Sequence, residues 1–104
     1  MPTGRMGAAN LSANTYNSIY VVPSGKTANL NINICNRNTV GVLIRLALTT
    51  ASGTPGTADW IEYNTPLPAY GVLERTGILL SAGQYVIAWS NTTDVNVIVT
   101  GLEE

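Results

Sequence analysis

This chain of 104 residues has no histidine, no phenylalanine and a single cysteine, Cys35. Without histidine, the commonest general base and metal ligand is missing. One cysteine excludes an internal disulfide, and with no base beside it in the sequence, Cys35 reads as structural rather than nucleophilic. Charge is also scarce. Only 11% of residues are charged, against roughly 25% in a typical soluble domain, and the net charge is −1. The five basic residues, Arg5, Lys26, Arg37, Arg45 and Arg75, are scattered along the chain. Phosphate binding needs a clustered patch, so nucleic acid is not an expected partner. No apolar run approaches the roughly 20 residues of a membrane helix. The opening MPTGRMGAAN lacks the apolar stretch of a secretory signal. Neither a membrane nor an export route is expected.

What remains is a polarity made of Asn, Thr, Ser and Gly. Such a surface costs little to desolvate, and weak net repulsion favours association. The length suits one domain.

The clearest pattern is alternation. In TANLNINICN, Ala28, Leu30, Ile32 and Ile34 share one face, while Thr27, Asn29, Asn31 and Asn33 share the other. A period of two predicts a strand with one buried and one wet face. TYNSIYVV (15–22) and VGVLIRLALTT (40–50) read the same way, the latter with Val42, Ile44, Leu46 and Leu48 inward and Arg45 outward. ASGTPGTA (51–58) is a loop, and DWIEY (59–63) a short strand before Pro66 and Pro68. GVLERTGILLSAG (71–83) reads as two short strands about a bulge or kink at Gly77. QYVIAWS (84–90) and VNVIVTGL (95–102) follow, joined by a hairpin-like turn at 91–94. The prediction is all-β: an antiparallel two-sheet β-sandwich of seven or eight short strands. A jelly-roll-like order is expected, with an immunoglobulin-like order the alternative, because strand order is not written locally. Residues 1–9 read as a flexible arm and 10–104 as a single sandwich domain.

Gly25-Lys26-Thr27 spells the end of a phosphate-binding loop, but the first glycine that loop requires falls on Tyr20, and a strand rather than a helix follows. With Pro23 two residues earlier, the stretch reads as a turn. Among the carboxylates, Asp59 and Glu62 have opposite parity on one strand and do not form a glycosidase-like pair. A meeting of Glu62 with Glu74 across strands stays open, and Glu74-Arg75 reads as a rim pair. Asn91, Thr92 and Asp94 offer too few carboxylates for a calcium loop. No metal or cofactor is expected.

The aromatic residues leave two readings. Val86 and Ala88 take the inward face of 84–90, which turns Tyr85, Ile87 and Trp89 outward. A strand apolar on both faces is covered on both sides. Trp60 and Trp89 are therefore either core residues or contact residues, and Trp, Tyr and Arg are enriched at binding hot spots.

Three stretches, YVVPSGKTANLNINICNRN, DWIEYNTPLPAYGVLERTGILLSAGQYVIAWS and the closing GLEE, together resemble a family of small structural proteins of tailed bacteriophages, of the kind found in cyanophages. The resemblance spans residues 5–104. It implies a non-enzymatic virion component, with no catalytic residues to carry over. A capsid decoration (cement) protein is the favoured form. Its expected partners are copies of itself, as a homotrimer or larger ring, and the major capsid or another virion protein. The candidate contact residues are Trp60, Tyr63, Tyr70 and Trp89, with Arg5 in the arm. The alternative is a tail- or fibre-associated carbohydrate-binding module, stacking sugars on the same rings beside the asparagine face of residues 29–33.

Overall fold

The computed structural model describes residues 3–104, and among them every regular element is a strand. These are β1 (Thr3–Asn10), β2 (Asn17–Val21), β3 (Thr27–Asn36), β4 (Val42–Thr49), β5 (Trp60–Leu67), β6 (Val72–Ser81), β7 (Tyr85–Ser90) and β8 (Val95–Glu103). They form two antiparallel four-stranded sheets, ordered β1-β8-β3-β6 and β2-β7-β4-β5. The pairs β1·β8, β2·β7, β3·β6 and β4·β5 are those of one long hairpin. Wrapping that hairpin adds the β3·β8 and β4·β7 pairs. This is the jelly-roll order of the two expected topologies.

The core lies where the alternation predicts. Leu30, Ile32 and Ile34 of β3 and Val95, Val97 and Val99 of β8 face Ile44 and Leu46 of β4 and Val86 and Ala88 of β7. Asn29, Asn31 and Asn33 lie on the outer face of the first sheet, in register with Leu102, Thr100 and Ile98. Cys35 follows the same parity, is half-buried and is unpaired.

The differences from expectation have local causes. Of the expected arm, residues 1 and 2 lie outside the described residues. Residues 3–9 are not a free arm but the body of β1, paired along β8. Close approach between backbones is permitted by glycine at two points of this pairing. A Cβ on Gly7 would collide with the Ile19 carbonyl of β2, and one on Gly101 with the Asn29 carbonyl. β5 runs on through Pro66, which is tolerated because β5 is an edge strand. The segment around Gly77 is one strand, β6, with the glycine at φ 69° in a bulge opposite Leu30–Ile32. Residues 91–94 do not close a hairpin, since β7 and β8 belong to different sheets. The Pro23–Lys26 segment is a turn, closed by Lys26 N–H donating to the Pro23 carbonyl at 3.1 Å. Pro23 thus occupies the first corner and Gly25, at φ 76°, the third.

Buried polar side chains hold the ends together. The Asn36 amide is fully buried and donates to the carbonyls of Val40 (3.0 Å), Leu67 (3.2 Å) and Pro68 (2.9 Å). Its oxygen accepts the backbone and side-chain N–H groups of Asn38 at 2.9 and 3.0 Å. Asn38 in turn donates to the Thr93 carbonyl at 2.9 Å, so one cluster ties three connections. At the open edge, the buried Glu62 carboxylate of β5 takes the Arg75 guanidinium of β6 and the Thr65 hydroxyl. Arg75 therefore pairs across the layers with Glu62, not along the rim with Glu74. On the far side, the Tyr20 hydroxyl donates to Glu103, joining β2 to the end of β8.

Two outcomes follow. Asn36→Ala removes the donor to the Val40, Leu67 and Pro68 carbonyls in a largely buried setting and lowers stability by about 2–3 kcal/mol, read as a shifted urea midpoint with unchanged slope. Desolvation, and secondarily the bond to the Glu103 carboxylate, holds the Tyr20 phenol well above the usual range. Its stabilising contribution is complete below about pH 10 and is lost as the pH rises toward the raised folded value. Denaturation of wild type and Tyr20→Phe between pH 8 and 11.5 checks this: wild-type stability falls more steeply above pH 10. Parallel curves would refute it.

Candidate functional site

The outer face of the β2-β7-β4-β5 sheet gathers most of the aromatic residues around one cation. Arg45 of β4 pairs across the ladder with Trp89 of β7. On its other side β5 carries an extra residue, because Ile44 pairs with Thr65 and Leu46 with Glu62. That bulge, with Asn64 at φ 49°, leaves Arg45 without a direct ladder partner on β5 and turns Tyr63 and Asn64 toward it. Bulges often re-aim side chains in this way. Tyr16 arrives from the β1–β2 connection, which is pinned where Asn14 N–H donates to the Ser90 carbonyl at 2.8 Å.

The geometry is tight. The Arg45 guanidinium carbon lies 4.0 Å from the Trp89 ring centre, 4.4 Å from Tyr63 and 6.0 Å from Trp60. Nε donates to Asn64 Oδ1 at 2.7 Å, and Nη1 to the Tyr16 hydroxyl oxygen at 2.7 Å. Tyr16 leans on Trp60 at 5.8 Å and on Trp89 at 6.4 Å, while Trp60 and Tyr63 meet edge to face at 4.9 Å. Each cation–ring contact contributes about 0.5–2 kcal/mol, depending on how dry it is. Beside the cluster, Pro55, Thr57, Trp60 and Tyr63 line a shallow trough of about 350 Å³.

The candidate residues divide accordingly. Trp60, Tyr63 and Trp89 come together, but not as equals. Tyr63 is 54% exposed and Trp60 half-buried, whereas Trp89 is only 8% exposed. Trp89 does point outward, as its parity predicts, yet it lies beneath Arg45 and Tyr16 and is no surface contact. Tyr70 does not join them. It is 66% exposed in the β5–β6 connection, its N–H bonded to Asn38. Arg5 is exposed on β1, in register with Thr100 on the other sheet. The asparagine face of residues 29–33 and the ring cluster lie on opposite sides of the sandwich, so they cannot form one sugar site. Arg45, Tyr16 and Asn64 were absent from the candidates. A lone charge in the aliphatic run VLIRLAL was the one available signal for Arg45.

A hollow of about 650 Å³ opens by Leu79, Leu102 and Asn29, and Glu104 is its one ionisable lining residue. Among the described residues no three His, Cys, Asp or Glu side chains cluster as metal ligands. No family model matches this chain, and no curated protein is significantly similar to it.

Arg45→Ala uncovers Trp89. The expected result is a red-shifted tryptophan emission, easier acrylamide quenching and a stability loss of roughly 1–2 kcal/mol. An unchanged spectrum would mean that Arg45 does not cover the ring.

Proposed function

We propose that this protein is a non-enzymatic structural subunit of a tailed-phage virion, a capsid decoration protein that docks on a capsid protein through the Arg45 face. The observation that carries this reading is the cluster itself. Tyr63 and Trp60 stand at the surface, Arg45 is fixed between rings, and Trp89 and Asn64 hold the arrangement from below and beside it. Trp, Tyr and Arg in a preorganised patch are what binding hot spots are made of. The scarcity of charge on the rest of the chain lowers the desolvation cost of a broad contact. The resemblance of residues 5–104 to virion proteins supports the setting, and closure into a ring of copies suits such a subunit.

A glycan-binding role at a tail or fibre draws its support from the trough beside Trp60 and Tyr63. The ring faces favour the protein partner. Arg45 occupies one face each of Tyr63 and Trp89, and Trp60 meets Tyr63 edge-on, which leaves poor stacking ground for a sugar.

Particles assembled with Trp60→Ala or Tyr63→Ala subunits should carry about tenfold less of this protein at limiting concentration, and should open at lower temperature than wild type. Occupancy and heat resistance equal to wild type for both variants would overturn the docking reading. Saturable binding of host polysaccharide, with normal particle occupancy, would support the glycan reading in its place.

A further inference from the structure

We infer that the Arg45 face receives an acidic peptide segment, the guanidinium taking a partner's Asp or Glu carboxylate while Trp60 and Tyr63 cover the apolar residues beside it. This rests on the docking reading above and names its chemistry. Arg45 is half-buried, and both of its bonded acceptors, Asn64 and Tyr16, are neutral. Among the described residues the ion pairs are Arg37–Asp94 and Arg75–Glu62, so none neutralises Arg45. The nearest carboxylates in sequence are turned elsewhere. Asp59 accepts the Gly56 N–H at 2.7 Å, and Glu62 points inward to Arg75.

A guanidinium has five donors, and two of this one's, on Nε and Nη1, are engaged. Rings of Tyr63 and Trp89 hold its plane, so the remaining donors, on Nη2 and Nη1, are presented in a fixed orientation. Desolvating a lone cation against a neutral partner is unfavourable, whereas a carboxylate would form charge-assisted bonds in a partly dry setting. Charge complementarity therefore selects an acid. The lack of open, parallel ring faces selects a peptide over an acidic sugar.

Three probes decide the matter: acetyl-Leu-Glu-Leu-amide, its Gln counterpart, and glucuronate, each titrated while the indole N–H signals of Trp60 and Trp89 are followed by NMR. The Glu peptide should shift both signals and bind about tenfold more tightly than the Gln peptide, with the difference shrinking at high salt. Arg45→Met should abolish the difference. Arg45→Lys, which keeps the charge and the stem but not the fork, should reduce it, and melting curves for both variants establish that they fold. Equal binding of the Glu and Gln peptides, or no shift with any probe, overturns the inference. Tighter binding of glucuronate overturns the peptide assignment. If the peptides bind alike while Trp60→Ala and Tyr63→Ala still empty the particle, docking stands and the carboxylate inference fails alone. Full occupancy in those variants removes the docking reading itself.

Discussion

A two-layer sandwich separates its sheets by about 10 Å of apolar side chains, so a strand-to-strand connection that changes sheet must cross that gap with its polar backbone satisfied. In this chain only the β4–β5 connection stays within one sheet. Every other connection crosses. The Asn36 amide answers this constraint at one end, since one buried side chain serves carbonyls of the β3–β4 and β5–β6 segments and, through Asn38, the β7–β8 segment. Tyr20 with Glu103, and Glu62 with Arg75, close the two sides where sheets would otherwise part.

The ring-lined face depends on the same framework. Arg45 is held in place because its strand lies between β7, which supplies Trp89, and the bulged β5, which supplies Tyr63 and Asn64. The crossing of β1 into β2 supplies Tyr16. A cation stacked on rings and bonded to neutral acceptors is stable enough to persist uncompensated, and it keeps donors for the carboxylate we infer it receives. The sandwich core makes this possible by fixing the strands, and the bulge makes it specific by aiming the side chains.

Much of the fold was legible. The period-two run of Leu30, Ile32 and Ile34 against Asn29, Asn31 and Asn33 announced its strand and its inner face, because side-chain direction in a strand follows from the backbone alone. The loop at 51–58 and the special backbone at Gly25 and Gly77 were visible for the same local reason. The N-terminal strand was not. GRMGAA has no alternation to show, Gly7 serves close approach to β2, and the pairing partner β8 lies at the other end of the chain. Of the ring cluster, the outward direction of Trp89 could be read from parity, but its burial under Arg45 could not.

The sequence by itself determined the class of object: an all-strand chain, sparsely charged, whose apolar residues alternate into a single core. These follow from composition and from nearest-neighbour geometry. Tertiary structure alone decided the jelly-roll order, the inclusion of residues 3–9 in the sheet, the partner of Arg75, and the meeting of Tyr16, Arg45, Trp60, Tyr63 and Trp89 on one face. Each of these turns on contacts between residues far apart in the chain, and such contacts are set by the closing of the sheets rather than by any local preference.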